Sequence, residues 1–348
     1  MQKIKVGLAG YGAGGRIYNA PIIAAIDDLT IGKILTRDPQ NSREAARDFP
    51  EAEVVREYDK ILEDPEVDLI VITTPNHLHK QFAEEALKAG KHVVVEKPFT
   101  SSLAEAEFLK QLAREKKRIL SVNHNRRWDS DIRTIKKIID QQRLGKISEF
   151  EAHFDRFRPE IKNSWKELRK NPGSGILYDL GSHLIDQALW LFGPPKEVFA
   201  HLRAQREDSE VVDNFELLLL YPELKVTLKA GMLVKEPGPR YQVFGTKGSF
   251  IKSGMDVQEE SLKNGLKPVA DWGREPQENW GRISTLEGSG LVESEKGDYR
   301  EFYRNVAAAI RNQEELQVTP QQAKMVIQII ELAYQSNSEK RIIPFSQA

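Results

Sequence analysis

The chain has 348 residues, a length that accommodates two domains of ordinary size. Hydrophobic residues make up 40% and charged residues 30%, and the net charge is −1, so we expect neither a nucleic-acid partner nor a membrane surface. Cysteine is absent, which excludes disulfides, zinc–cysteine sites and thiol nucleophiles. The first residues read as a charged strand rather than a signal peptide, and no apolar run of roughly 18 residues occurs, so we expect a cytoplasmic protein.

The first third of the chain alternates short apolar runs with amphipathic stretches. The runs have the length and the β-branched content of buried parallel strands. They cover residues 4–9, 30–35, 68–73, 92–96 and 118–122. Residues 79–90 carry an apolar face and end at a glycine, which indicates a helix between two of these strands. The alternation predicts a Rossmann-type, doubly wound α/β domain in residues 1–122.

Residues 123–348 have a different pattern, with longer strands in which apolar and polar positions alternate. These strands are expected at 147–157, 197–206, 215–221, 224–233, 241–245 and 249–252. Helices are expected from about Asp179 to Gly193 and from about Pro320 onward, and residues 260–297 read as a long surface excursion. The pattern predicts an α+β domain with a large, mostly antiparallel open sheet.

The motif GYGAGG at residues 10–15 follows the first predicted strand and opens a helix. Gly10 would permit a tight turn, Gly12 would let a pyrophosphate approach the backbone, and Gly15 would allow close packing of helix and strand. The helix N-terminus would hold the phosphates, with Ala13 and Gly14 in the turn. A glycine-rich turn without a ligand is the alternative, but the position after the first strand of an alternating series favours a dinucleotide site.

The end of the second predicted strand carries the residues that choose between NAD and NADP. The position where an acid would bind the ribose hydroxyls holds Thr36, and Arg37 follows it. A hydroxyl and a planar cation favour the 2′-phosphate of NADP(H). Asp38 keeps NAD possible, and Arg37 could instead be a solvated loop residue.

Two further motifs follow predicted strands of the same sheet. In TTPNHLH, the ribose or nicotinamide of a dinucleotide would pass Thr74, Pro75, Asn76 and His79, although Asn76 could instead cap a helix. His77 and His79 have poor spacing for a shared metal, and we expect no metal site.

The motif EKP ends the predicted strand at 92–96. Lys97, at the carboxyl end of a buried strand, is a candidate acid or base. Glu96 would be its partner and would lie at the edge of the cofactor site, and Pro98 would set the turn. The alternative is a surface lysine that ends a strand.

In YDLGSHLIDQ the polar residues Asp179, His183 and Asp186 fall on one face of a helix. A carboxylate beside an imidazole fixes the tautomer of the ring and raises its basicity, which suits transfer of a hydroxyl proton. The alternative is a structural histidine on a helix.

Together, GxGxxG at the start, TPNxxH at 74–79, EKP at 96–98 and DLGSHLID at 179–186 resemble the glucose-fructose oxidoreductase/inositol dehydrogenase/rhizopine catabolism (Gfo/Idh/MocA) family over the whole chain. The resemblance implies that Lys97 is the catalytic lysine, Asp179 the substrate-binding carboxylate and His183 the proton-transferring histidine. It also implies a cis bond between Lys97 and Pro98. It implies further that residues 1–122 are the NADP-binding domain and that residues 123–348 are the substrate-binding domain, which forms a homodimer or homotetramer through its open sheet. Residues 123–131, 153–167 and 238–260 look like the NADP-dependent scyllo-inositol dehydrogenase branch of that family.

A polyhydroxy substrate needs many hydrogen-bonding groups and an aromatic surface. The candidates for its contacts are Asn123, Arg127, Arg156, Arg158, Trp165, Tyr178, Asp179 and His183. We therefore expect an NADP(H)-dependent enzyme, with NAD possible, that reversibly oxidises a secondary hydroxyl of a cyclitol or sugar. The alternatives are a dehydrogenase of another polyol, a non-catalytic dinucleotide-binding sensor, and an enzyme that cleaves a glycosidic bond through transient oxidation.

Overall fold

The computed structural model describes residues 2–161, 167–168, 171–269 and 271–346. Its strands are β1 (Ile4–Ala9), β2 (Leu29–Leu35), β3 (Glu53–Val55), β4 (Leu69–Ile72), β5 (His92–Val95), β6 (Leu120–Val122), β7 (Ile147–His153), β8 (Glu197–Arg203), β9 (Asn214–Leu220), β10 (Lys225–Gly231), β11 (Tyr241–Gly245), β12 (Gly248–Lys252), β13 (Gly281–Thr285), β14 (Gly288–Val292) and β15 (Ile343–Pro344). Its α-helices are α1 (Ala20–Ala24), α2 (Pro39–Asp48), α3 (Asp59–Leu62), α4 (His79–Lys88), α5 (Leu103–Lys116), α6 (Ser130–Asp140), α7 (Ser182–Phe192), α8 (Gln258–Lys263), α9 (Arg300–Ile310) and α10 (Pro320–Glu339). Over these ranges, none of the helices is both long enough and apolar enough to cross a bilayer.

The chain divides into two compact units. Unit 1 comprises residues 1–125, 258–272 and 298–324, and unit 2 comprises residues 126–257, 273–297 and 325–348. The predicted boundary after residue 122 lies near the first break, but the predicted second domain is continuous whereas unit 2 is not. The segments that carry α8 and α9 belong to unit 1, because their packing places them there although they follow most of unit 2 in the chain.

Unit 1 contains a parallel sheet with the strand order β3-β2-β1-β4-β5-β6. Strand β4 is buried along its whole length, as expected for a sheet covered on both faces. This confirms the predicted Rossmann architecture. Strand β3 was not predicted, since three residues are too few to show a pattern.

Unit 2 contains a mixed sheet with the order β14-β13-β12-β11-β7-β10-β9-β8-β15. Its pairings are antiparallel apart from β7 with β10. Along β9, Phe215, Leu217 and Leu219 are buried while Glu216 is exposed. This alternation places one face of the sheet on the core and leaves the other open, which confirms the predicted mostly antiparallel open sheet.

The prediction that residues 260–297 form a surface excursion is wrong. This stretch holds most of α8, a short 3-10 turn at Gln277–Asn279 and the hairpin of β13 and β14, which extends the sheet from β12. The two hairpin strands are rich in glycine and serine and lie at an edge of the sheet, so they lack the apolar alternation of the inner strands.

Candidate functional site

The glycines of the GYGAGG motif lie in the turn after β1 and at the start of the helix that follows it. Gly10 has a φ of +114°, and its N–H donates to the carbonyl of Leu35 at 3.1 Å. A Cβ added to Gly15 would clash with the carbonyl oxygen of Gly10 and lie 2.9 Å from the hydroxyl of Thr73. Only glycine therefore permits both the backbone conformation at Gly10 and the close packing at Gly15.

The residues of this edge fit a dinucleotide. A Cβ added to Gly12 would meet no described atom within 4 Å, so this backbone is open to a phosphate. Ala13 precedes a π-helical segment, Gly14–Asn19, that begins the helix. The hydroxyl of Thr74, after β4, is buried and has no hydrogen-bond partner among the described residues. An open backbone and an unsatisfied hydroxyl are groups that a nucleotide can use.

The carboxyl ends of the parallel strands bring the predicted residues to one edge of the sheet. Gly10 follows β1, Thr36 follows β2, Glu96 follows β5 and Asn123 follows β6. Because neighbouring parallel strands end on the same side, these residues share the edge where open α/β sheets bind ligands. Asn123 therefore belongs with the cofactor sheet of unit 1 and not with the sheet of unit 2.

Two arginines lie beside the end of β2. The Nε of Arg37 donates to the carbonyl of Arg56 at 3.3 Å, and an Nη of Arg56 donates to the carbonyl of Arg37 at 3.3 Å. Both residues are exposed, whereas Thr36 is buried. The carboxylate of Asp38 caps α2 by accepting from the N–H of Asn41 at 2.8 Å. Sequence reasoning missed Arg56, which follows the short strand β3.

His79 links two loops of this edge. Its Nδ1 lies 2.9 Å from the carbonyl of Pro98, and its Nε2 lies 3.0 Å from the carbonyl of Thr74. The residue is fully buried, and this burial lowers the pKa of the imidazole in spite of the two carbonyls, which raise it. His79 thus joins the loop after β4 to the loop after β5. Pro75 follows Thr74, and Asn76 begins the 3-10 turn Asn76–Leu78, which directly precedes His79.

The peptide bond between Lys97 and Pro98 is cis, which confirms the prediction. Lys97 is half-buried and directly follows Glu96 at the end of β5. Oε1 of Glu96 accepts hydrogen bonds from the amides of Asn19 and Asn123, each at 2.7 Å. The carboxylate of Glu96 is therefore held by protein groups, and its contact with a cofactor stays a prediction.

In unit 2, the DLGSHLID motif forms a π-helical segment, Leu177–Gly181, that continues into α7. His183 lies in the first turn of α7, is buried, and has its ring centre 6.5 Å from that of Phe154. Asp179 is half-buried one turn earlier. Irregular helical turns of this kind occur often at functional sites, because they displace side chains from the regular helical positions.

The predicted partners of this motif have different roles. Arg127 forms a bidentate ion pair with Asp186, with Nε to Oδ2 at 2.8 Å and Nη2 to Oδ1 at 2.6 Å. Both side chains are 2% exposed, so the pair is buried beside α7, and the contact of Arg127 with a substrate stays a prediction. Tyr178 is buried with its ring centre 6.2 Å from that of Tyr334.

Phe154 is surrounded by cations. The guanidinium carbons of Arg126, Arg156 and Arg240 lie 5.1, 5.0 and 4.5 Å from its ring centre. Because Phe154 also neighbours His183, Arg156 lies on the side of unit 2 that carries the histidine. Arg158 is exposed, and Trp165 lies outside the described residues.

Comparisons with known proteins give one consistent result. Residues 4–124 match the family model described as "Oxidoreductase family, NAD-binding Rossmann fold", and residues 136–345 match "Oxidoreductase family, C-terminal alpha/beta domain". The chain is 45% identical to scyllo-inositol 2-dehydrogenase (NADP(+)) of Bacillus subtilis, covering 98% of this chain and 95% of that protein. It is 42% identical to the uncharacterized oxidoreductase YdgJ of Escherichia coli, over 96% of each chain. A solved structure of the yvaA protein of Bacillus subtilis has a TM-score of 0.95 and 44% identity over 99% of both chains.

Proposed function

This chain belongs to the Gfo/Idh/MocA oxidoreductase family, and from that premise we propose that it is an NADP(H)-dependent dehydrogenase that reversibly oxidises a secondary hydroxyl of a cyclitol or sugar. The observation that carries the proposal is the position of Lys97. Lys97 follows β5 at the edge of the sheet where β1 also ends, and the turn after β1 carries the open backbone of Gly12. The first substrate to test is scyllo-inositol, with scyllo-inosose as the product, because the 45% identical relative is named for it.

The residues beside β2 support NADP(H) over NAD. Arg37 and Arg56 offer two guanidinium groups beside the end of β2, and the buried Thr36 carries a hydroxyl there. The 2′-substituent of a dinucleotide would bind at this strand end. The carboxylate of Asp38, which would repel a 2′-phosphate, is engaged in the cap of α2. Two cations and a capped acid favour the phosphorylated cofactor.

The chemistry divides between the cofactor and the chain. The nicotinamide dinucleotide, when bound, accepts or donates the hydride. We propose that Lys97 polarises the oxygen of the reacting hydroxyl, that His183 takes its proton and that Asp179 binds the substrate. The proton could instead pass to Lys97 with His183 as the polarising group, since both side chains can carry a proton near neutral pH in a suitable environment.

A screen for reduction of added NADP tests the proposed activity. Inositols, aldoses and their acids are offered in turn, and the absorbance of reduced nicotinamide is followed with NAD in parallel. We expect turnover with a free polyol or sugar and a preference for NADP. A protein that binds NADP but reduces it with none of these alcohols would be a sensor rather than a dehydrogenase.

Variants of the lysine test the proposed mechanism. Lys97→Ala should abolish most turnover, whereas Lys110→Ala, which replaces another partly buried lysine of unit 1, should leave it unchanged. Unchanged turnover in Lys97→Ala with normal dinucleotide binding would refute the mechanism.

We also propose a homodimer or homotetramer formed through the open face of the sheet in unit 2. Strand register places Phe199 beside Leu218, Leu218 beside Thr227, and Ile251 further along the same row. Phe199 and Leu218 are half-exposed and Ile251 is 38% exposed, so these three side chains offer apolar surface for a second copy. The polar residues Thr227, Glu151 and Gln242 lie between Leu218 and Ile251 in this row. Sedimentation of wild type and of Leu218→Glu should show an oligomer and its dissociation, and a monomeric wild type would refute this proposal.

A further inference from the structure

A set of buried polar side chains in unit 1 converges on the residue before Lys97. Asn19 comes from the π-helical segment after the glycine turn, Asn123 follows β6, and Tyr303 lies in α9. Their exposed fractions are 0%, 2% and 1%. With Glu96 they form one hydrogen-bonded group, called here the Glu96 cluster, whose members come from four separate parts of the chain.

The amide of Asn19 uses its whole hydrogen-bonding capacity in this cluster. Its Nδ2 donates to the carbonyl of Gly14 at 2.9 Å and to Oε1 of Glu96 at 2.7 Å. Its Oδ1 accepts from Nδ2 of Asn123 at 3.1 Å and from the hydroxyl of Tyr303. Two donors and two acceptors are all that an asparagine side chain has, so no other residue type can replace it without leaving a buried group unsatisfied.

Both side-chain oxygens of Glu96 act as acceptors in this cluster. Oε1 accepts from both asparagine amides, and Oε2 accepts from the backbone N–H of Lys97 at 3.1 Å. Three N–H groups thus point at the two oxygens, and a carboxylate is the side chain that accepts on both. A glutamine here would turn an N–H group toward another donor. For the same reason the orientation of the two asparagine amides is fixed: the amide nitrogen of each must face Oε1 of Glu96, because an amide oxygen there would be repelled.

Tyr303 remains a donor over the whole working pH range. Burial, together with the negative charge of Glu96, raises the pKa of its phenol well above the ordinary value. Its hydroxyl therefore keeps the proton that it donates to Asn19. The chain of contacts runs from Tyr303 through Asn19 to Glu96 and ends at the backbone of Lys97.

We propose that Asn19 and Tyr303 are positioning residues for Lys97, acting through the carboxylate of Glu96. This inference rests on the proposed function of Lys97 in alcohol oxidation. Because the carboxylate bonds the backbone N–H of Lys97 itself, a shift of Glu96 would displace both the start of the lysine and the negative charge beside it. A displacement on the order of 1 Å at a reacting group can lower a rate by as much as 10²-fold.

The test compares two tyrosines of unit 1 that each donate one hydrogen bond. Tyr303→Phe removes the bond to Asn19, and the control Tyr58→Phe removes the bond of Tyr58 to the carbonyl of Phe82, at 3.0 Å. Both tyrosines are buried, so each variant should lower the melting temperature to a similar degree. We expect kcat to fall about tenfold in Tyr303→Phe alone, with KM and the dissociation constant of NADP unchanged.

A second measurement needs no turnover. Competitive acetylation of the full-length protein over a pH series, read by mass spectrometry of the Lys97 peptide, gives the pKa and the accessibility of this lysine. Glu96→Gln should lower the pKa of Lys97 and so change its labelling rate, because it removes the adjacent negative charge. Tyr303→Phe should change the labelling rate of Lys97 in the same direction as Glu96→Gln does. Asn19→Ala combined with Tyr303→Phe should cost no more in kcat than Asn19→Ala alone, since both act along one chain of contacts.

The outcomes separate this inference from the proposed function. If Tyr303→Phe matches Tyr58→Phe in kcat and leaves the labelling of Lys97 unchanged, the positioning role is refuted even though Lys97→Ala is inactive. If Lys97→Ala retains turnover, the proposed role of Lys97 in the reaction fails although the protein is still a dehydrogenase, and the labelling series still decides whether the Glu96 cluster holds this lysine.

Discussion

The buried ion pair of Arg127 and Asp186 gives a quantitative prediction about unit 2. The two side chains share two hydrogen bonds, at 2.8 and 2.6 Å, and both are 2% exposed. Asp186→Asn removes the negative charge that Asp186 places against the buried guanidinium, and Arg127→Met removes the positive charge that Arg127 places against the buried carboxylate. Each single change should therefore destabilise the unit far more than the loss of a surface pair.

The size of the effect follows from the burial. Removing one partner of a buried pair costs about 3–5 kcal/mol, and in a unit of this size each kcal/mol lowers the melting temperature by about 2–4 °C. We expect each single variant to melt roughly 10 °C lower than wild type. The double variant Arg127→Met/Asp186→Leu replaces the pair by apolar groups and should recover most of the loss.

Differential scanning calorimetry of the variants measures these shifts. The control is Asp140→Asn, which breaks the exposed pair of Lys136 and Asp140 on α6 of the same unit, 2.9 Å apart, and should cost less than about 1 kcal/mol. An Asp186→Asn protein as stable as Asp140→Asn would refute the reasoning. The KM of the double variant then tests the sequence-based assignment of Arg127 to substrate binding, since a direct contact would raise KM even when stability is restored.

Arg37→Ala and Arg56→Ala should each lower the NADP-to-NAD ratio of kcat/KM about tenfold, because each removes a charge-assisted contact to a 2′-phosphate. Steady-state kinetics with both dinucleotides checks this, and equal efficiency in wild type would contradict the cofactor proposal. Lys97→Ala should lower kcat by about 10²-fold or more, while fluorescence titration shows unchanged affinity for NADP. His92 should make unit 1 less stable toward acid: burial, aided by the charge of Arg118, lowers the pKa of its ring to about 4, whereas the unfolded chain keeps a value of about 6.5. The unfolded state therefore binds a proton first, and stability present above about pH 6.5 is lost as the pH falls toward 4. Urea unfolding over this range should show the loss, and His92→Gln, which keeps an acceptor for the N–H of Ile119, should flatten it.

Much of the candidate site could be predicted from the sequence because each motif is contiguous with the strand that carries it. Gly10 follows β1 and Lys97 follows β5, and parallel pairing necessarily brings both strand ends to one edge. The steric roles of Gly10, Gly12 and Gly15 were likewise predictable, since they depend on a single turn. The hairpin of β13 and β14 was not, because edge strands of low hydrophobicity lack the pattern that marks an inner strand.

The sequence by itself determined the two kinds of sheet, the dinucleotide turn and the order of the motifs, all of which depend on neighbouring residues. Only the tertiary structure decided which buried polar groups are partners. Tyr303 and Asn19 are 284 residues apart, and Arg127 and Asp186 are 59 apart, with no local signal that joins them. The physical reason is that a buried polar group takes its partner from whatever element packs against it. Local sequence therefore places Lys97 at the end of β5, and the packing of distant segments determines which side chains hold Glu96 beside it.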